Sequence, residues 1–147
     1  MHKLDLSFLS AFARKNRFDF QSDVLEQEKQ ATIPPKRGIY IFVSRDQKFV
    51  YPEGYSRVFY IGKSDNLRRR IREHSNKYLT VCEETQSDFF SRWEYGRYYY
   101  AKAYGCDAYY LLTSGREESK DLESKIMECF YNRYKALPVG NGAFSYR

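Results

Sequence analysis

Three polar side chains stand where an apolar residue would be the ordinary choice, and their types suit work on a phosphate group. Arg70 and His74 lie four residues apart, in a stretch where Leu67, Ile71 and Tyr78 recur at helical spacing, so both point along the apolar edge. Arg68, Arg69 and Arg72 fall on other faces of the same helix. A guanidinium beside an imidazole can clamp an oxyanion, because arginine presents a fork of donors that matches phosphate. The same arginine could instead pair with a core carboxylate. Glu123 shares a helical face with Ile126, Met127 and Phe130. Carboxylates are rarely buried unless paired or holding a metal. Glu123 therefore ligates a cation, meets an arginine such as Arg70, or gains from lying in the N-terminal half of its helix.

The elements that must position these groups can be read along the chain. Leu4, Leu6, Phe8, Leu9, Phe12 and Ala13 recur mainly at helical spacing, which predicts one or two helices, and Ile33-Pro34-Pro35 ends them. This divides an N-terminal helical arm, residues 1–33, from a core, residues 34–147. Gly38-Ile39-Tyr40-Ile41-Phe42-Val43 is short, continuously apolar and β-branched, as a buried central strand is. Arg57-Val58-Phe59-Tyr60-Ile61-Gly62 repeats the pattern, and turn chemistry at Pro52 and Gly54 predicts that the two run antiparallel around a long hairpin excursion. Ser64, Asp65 and Asn66 offer caps for a helix from Leu67 to about Tyr78.

Residues 79–107, with Phe89, Phe90, Trp93, Tyr95, Tyr98, Tyr99, Tyr100 and Tyr104, read as helix. Ala108 to Thr113 reads as a third strand. Ser114 with Glu117 forms a capping box for a last helix, which Pro138 and Gly140 end after about Ala136. No internal repeat interrupts this order.

The 147 residues suit a single domain, with 42% hydrophobic and 30% charged residues, four prolines and eight glycines. No apolar run approaches the roughly 20 residues that cross a bilayer, and Met1 to Ser10 lacks the features of a signal peptide. Three widely spaced cysteines and two histidines disfavour a disulfide framework or a zinc knot, and a cytoplasmic protein is expected. The net charge of +6 is unevenly placed. Residues 1–33 balance, whereas residues 63–77 carry Lys63, Arg68, Arg69, Arg70, Arg72 and Lys77 against Asp65 and Glu73. One element thus faces phosphates, or presents an ordinary solvated helix surface.

At this point the residues resemble a known family. Gly38-Ile39-Tyr40 and Tyr60-Ile61-Gly62 are the two tripeptides that name the GIY-YIG nucleases. They are followed in the family's order by Arg70, His74, Glu123 in a downstream helix, and Asn141 beside a glycine. The resemblance covers Arg37 to about Gly142 and leaves residues 1–33 unmatched. It implies an α+β fold with a small three-stranded antiparallel sheet flanked by helices, which agrees with the strands read above. It also implies a phosphodiester hydrolase acting on DNA with one divalent ion, Mg2+ or Mn2+, per active site.

By resemblance, Glu123 holds the metal, Tyr40 activates the attacking water and Tyr60 assists it or orients the phosphate. Arg70 and His74 contact the phosphate, and Asn141 orders the site. Lys63, Arg68, Arg69 and Arg72 are the expected DNA-binding residues. One carboxylate suffices for a magnesium ion that keeps most of its waters. Tyrosine, with an ordinary pKa near 10, needs a nearby cation to serve as a base, and Lys63, His74 or the metal could supply it. Strand packing is the alternative reading of both tyrosines.

The chain departs from the family pattern in two places. Nineteen residues separate Tyr40 from Tyr60, more than is usual, with an excursion around Gln47 to Ser56. The stretch from Ser75 to Asp107 is also long, with Arg92 and Arg97 among its aromatics. Either insertion reaches a DNA groove, stacks on bases or packs the arm, and packing is expected for most of the aromatics. A chain ending soon after Asn141 lacks the long DNA-binding tail of homing enzymes and the extra domains of the excision-repair protein. It is therefore expected to be a compact, restriction-like endonuclease. Compact members often form homodimers to cut both strands. Alternatives are a structure-specific repair or recombination nuclease and a non-cleaving nucleic-acid-binding module.

Overall fold

The computed structural model describes residues 5–9, 12, 16–83 and 96–141. Its elements are β1 (Asp19–Gln21), β2 (Gly38–Val43), β3 (Phe49–Tyr51), β4 (Gly54–Ser56), β5 (Val58–Ser64), α1 (Leu67–Glu83), α2 (Gly96–Tyr104), β6 (Asp107–Leu112) and α3 (Arg116–Tyr134). The main sheet runs β1-β6-β2-β5, with every pairing antiparallel.

Each residue of β2 is buried, because both faces of this central strand are covered. Ile39, Ile41 and Val43 pack with Ile126, Phe130 and Tyr134 of α3. Tyr40 and Phe42 point the other way and pack with Leu67 and Ile71 of α1. The two-residue alternation of a strand thus splits the core into two layers. Gly38 is needed for the close approach of β6, since a Cβ there would lie 2.4 Å from the Leu111 carbonyl oxygen.

The sheet has four strands, where three were expected. The extra strand comes from the N-terminal segment, where β1 pairs with β6 in the register Phe20 opposite Tyr109. Its three residues are too few to show an alternation of their own, and the Phe20 ring lies 5.0 Å from that of Tyr109. Among the described residues, that segment has 3-10 turns at Ser7–Leu9 and Gln27–Thr32, and Asp5 and Phe12 are α-helical. Leu4 and Ala13 of the expected arm helices lie outside the described residues.

Side-chain anchors tie the segment to the core at several points, among them the Asp107 carboxylate, which accepts from the Asp23 amide at 2.9 Å. Arg57 and Tyr109 both donate to the buried Asp5 carboxylate, at 2.8 and 3.0 Å. Ser75 donates to the Leu25 carbonyl at 2.6 Å. Arg68 donates to the carbonyls of Ile33 and Ala31, at 2.8 and 3.1 Å.

The excursion between the motif strands is the β3–β4 hairpin. It is fixed by the Tyr51 hydroxyl, which donates to the Val58 carbonyl at 2.8 Å and accepts from the Val139 amide at 3.1 Å. Helix α1 runs five residues past its expected end, to Glu83. Phe89, Phe90, Arg92, Trp93 and Tyr95 lie outside the described residues, while Tyr98 to Tyr104 fall on α2. At the start of α3 the cap is shifted by one residue. Gly115 is the N-cap, and Ser114 donates through both its amide and its hydroxyl to Glu118 rather than Glu117. Among the described residues, no helix is long and apolar enough to cross a membrane.

Candidate active site

The first motif tyrosine is placed by the second motif glycine. Tyr40 on β2 lies directly opposite Gly62 on the edge strand β5, and a Cβ at residue 62 would stand 2.6 Å from both the Tyr40 Cζ and its hydroxyl oxygen. Only a residue without a side chain lets the Tyr40 ring lie across the strand at that point. Tyr60, two residues earlier, shares this face, with its ring 5.9 Å from that of Tyr40. The strand reaches Tyr60 through a β-bulge. Phe42 pairs with Tyr60 and Val43 with Val58, so Phe59 is the unpaired extra residue.

The Tyr40 hydroxyl is 2.6 Å from His74 Nε2, and the other nitrogen of that ring, Nδ1, is 2.6 Å from the Tyr98 hydroxyl. Tyr40 is 1% exposed and both His74 and Tyr98 are fully buried. Burial pushes the Tyr40 phenol well above its usual pKa. Tyr60 adds to that shift, and the Arg70 guanidinium, within hydrogen-bonding reach of the hydroxyl, opposes it. Burial likewise holds His74 well below the ordinary histidine range, reinforced by the positive charges of Arg70, Arg97 and Lys77. The pair is therefore a neutral phenol against a neutral imidazole, which has one donor and one acceptor nitrogen. Arg70 also donates to Glu73 at 3.2 Å, a half-exposed carboxylate on its own helix rather than a core one.

Arg97 on α2 completes this side. Its guanidinium lies 4.4 Å from the centre of the Tyr60 ring and 5.5 Å from that of Tyr98, and its Nε donates to the Gly140 carbonyl at 3.2 Å. Neither Tyr98 nor Arg97 was identifiable as a site residue from spacing. Both lie in an aromatic-rich stretch for which packing is the expected role of most of the aromatics, with reach to DNA as the alternative.

Asn141 reaches the same strand from its outer edge. Its Oδ1 accepts from the Ile61 amide at 3.0 Å and its Nδ2 donates to the Ile61 carbonyl at 2.9 Å. One side-chain amide thus imitates the backbone of a neighbouring strand, between the two residues Tyr60 and Gly62. The Gly140 amide adds a bond to the Phe59 carbonyl at 2.7 Å.

Glu123 stands apart from this group. Lys63 pairs with Ile39, whose side chain belongs to the α3 layer, so Lys63 and Glu123 occupy the sheet face opposite Tyr40. Lys63 Nζ is 4.0 Å from Glu123 Oε1, in an ion pair whose side chains are 42% and 26% exposed. Burial pushes the Glu123 carboxyl up and Lys63 opposes the shift. Among the described residues, no group of three or more His, Cys, Asp or Glu side chains could hold a metal. A cation held here would therefore depend on a single carboxylate together with water and substrate oxygens, which suits a hard ion such as magnesium.

The remaining basic residues divide. Arg69 and Arg72 are exposed along α1, whereas Arg68 spends its donors on the N-terminal segment.

No family model matches the sequence, and no curated protein matches it. Among solved structures, the fold is similar to a GIY-YIG endonuclease domain. That structure is the N-terminal endonuclease domain of UvrC from Thermotoga maritima, a tyrosine-to-phenylalanine point mutant bound to the catalytic divalent cation. The two share 18% sequence identity with a TM-score of 0.44, over 78% of this chain and 92% of that one. The roles of the residues in this chain rest on their own chemistry and geometry.

Proposed function

We propose that this protein is a divalent-metal-dependent, restriction-like DNA endonuclease of the GIY-YIG type. The observation that carries this reading is the convergence of Tyr40, Tyr60, Arg70 and His74, from β2, β5 and α1, on the one place where Gly62 has no side chain. Packing alone does not call for an arginine and a histidine at the hydroxyl of a buried tyrosine.

Hydrolysis of a phosphodiester needs a base for the attacking water and counter-charge for the developing phosphorane. Tyr40 serves as that base. His74 Nε2 accepts its hydroxyl hydrogen and the adjacent Arg70 favours its anion, against the burial that holds it neutral. The substrate phosphate enters past Tyr60 and Arg70 at Gly62, where Arg70 binds its oxygens and Tyr60 orients it. Asn141 keeps the Tyr60–Gly62 backbone in place. Glu123 would hold the cation, which when bound supplies positive charge to the phosphate and to the departing 3′ oxygen. Lys63, Arg69 and Arg72 contact flanking phosphates, while Arg68 secures the N-terminal segment behind them.

The test is cleavage of supercoiled plasmid with magnesium or manganese. Wild type is expected to cut, and Tyr40→Phe, Glu123→Gln and chelated samples to lose activity by at least about 100-fold. Discrete fragments would support the restriction-like role, and cutting confined to branched substrates would replace it with a repair role. Full activity in Tyr40→Phe, or DNA binding by folded wild type without cutting on any of these substrates, would overturn the mechanism.

A further inference from the structure

We propose that Tyr98 is a positioning residue of this site. By accepting the Nδ1 hydrogen of His74, it fixes the tautomer whose bare Nε2 faces the Tyr40 hydroxyl. This assignment rests on the nuclease reading, in which Tyr40 passes its hydrogen to Nε2.

Both His74 nitrogens lie 2.6 Å from a phenol oxygen, and a neutral imidazole can accept at only one of them. The two tyrosines thus compete for one lone pair, inside a core where Tyr40, His74 and Tyr98 are all shielded from water. Each phenol has a donor-only arginine beside it, Arg70 at Tyr40 and Arg97 at Tyr98, so the choice falls to the chemistry: a base at Tyr40 needs a bare Nε2 to take its hydrogen. The imidazole hydrogen must then sit on Nδ1, where the Tyr98 oxygen is at hydrogen-bonding distance. A free histidine side chain favours hydrogen on Nε2, so the opposite tautomer requires a specific acceptor, and Tyr98 is placed to be one.

This gives α2 a function. Tyr98 and the preceding Arg97 lie in the long stretch between Ser75 and Asp107 that the family resemblance leaves unexplained. One holds the His74 ring, while the other covers Tyr60 and binds Gly140, beside Asn141. Two consecutive residues of one helix therefore brace the base and the edge strand together.

The measurement is a long-range proton–nitrogen correlation spectrum of the full-length 15N-labelled chain, whose two histidines, His2 and His74, are assigned with a His2→Gln variant. Wild type is expected to carry the His74 hydrogen on Nδ1, and Tyr98→Phe to move it to Nε2. In plasmid cleavage, Tyr98→Phe is expected to lower kcat roughly 10- to 100-fold with KM within about twofold, as loss of a group that orients a reacting residue does. Hydrogen on Nε2 in wild type overturns the inference, and that spectrum decides even if Tyr98→Phe fails to fold. A folded Tyr98→Phe protein with unchanged kcat overturns the positioning role. If wild type cuts nothing, the nuclease reading fails while the spectrum still decides how Tyr98 holds His74.

Discussion

Lowering the pH from 7.5 to 5.5 should destabilise the fold through His74 alone by about 1.3 kcal/mol. In the folded chain, burial, together with the charges of Arg70, Arg97 and Lys77, keeps this imidazole neutral well below the ordinary range, whereas in the unfolded chain it titrates near 6.5. The unfolded state therefore binds the extra proton. Stability from this group is present above about pH 6.5 and is lost as the pH falls through that value towards the folded pKa. Across the stated window the unfolded ring goes from about one-tenth to about nine-tenths protonated, and its mean of about half a proton over two pH units sets the magnitude through a slope of 1.36 kcal/mol per pH unit and proton. Urea melts of wild type and His74→Gln at pH 7.5, 6.5 and 5.5 provide the assay. Carboxylates contribute to both proteins, including Glu123, whose raised pKa acts in the opposite direction. The stability gap between wild type and variant should therefore narrow by about 1.3 kcal/mol over the window. A gap that stays constant within experimental error would falsify the claim that His74 is held neutral.

Gly62→Ala should cost about 1–3 kcal/mol and abolish cleavage, because the added methyl must displace the Tyr40 ring from a contact at 2.6 Å. Chemical denaturation and the plasmid assay both read this, and a variant with wild-type stability refutes the packing argument. Asn141→Ala should cost about 2–4 kcal/mol, because it strips the partners from the Ile61 amide and carbonyl at a buried edge. Asn141→Asp, which keeps the acceptor and loses the donor, should fall between it and wild type in the same melts.

What could be read in the sequence was local. The continuous apolar run of β2 announces a strand covered on both faces, and the motif spacing brings Tyr40 against Gly62 because antiparallel register follows from the pattern itself. What could not be read depends on segments far apart in the chain. Strand β1 owes its place to Tyr109, ninety residues away, rather than to any alternation in Asp19–Gln21. Arg68, Arg69 and Arg70 look alike as neighbours. Yet the first is committed to carbonyls thirty-five and thirty-seven residues back, the second faces solvent, and the third reaches the Tyr40 hydroxyl. Tyr98 is one of 15 tyrosines, and only the meeting of α1 with α2 distinguishes it.

The division of the candidate site between two sheet faces follows from the position of β5. A carboxylate and a phenol placed side by side would each disfavour the other's ionisation and raise each other's pKa. Here Glu123 lies with Lys63 on the α3 face, and Tyr40 lies with Arg70 and His74 on the other, so each acid has its own cation. Such a split could not serve one phosphate across a central strand, but β5 is the last strand of its sheet. Gly62 and Lys63 are consecutive on that edge, facing opposite layers, and Asn141 satisfies the edge backbone at Ile61 without adding another strand to cover it. On the proposed nuclease reading, a DNA backbone running along this border would meet both halves. Asn141 therefore matters for what it keeps open as well as for what it holds: a true fifth strand at this edge would give Ile61 the same hydrogen bonds and close the approach to Gly62.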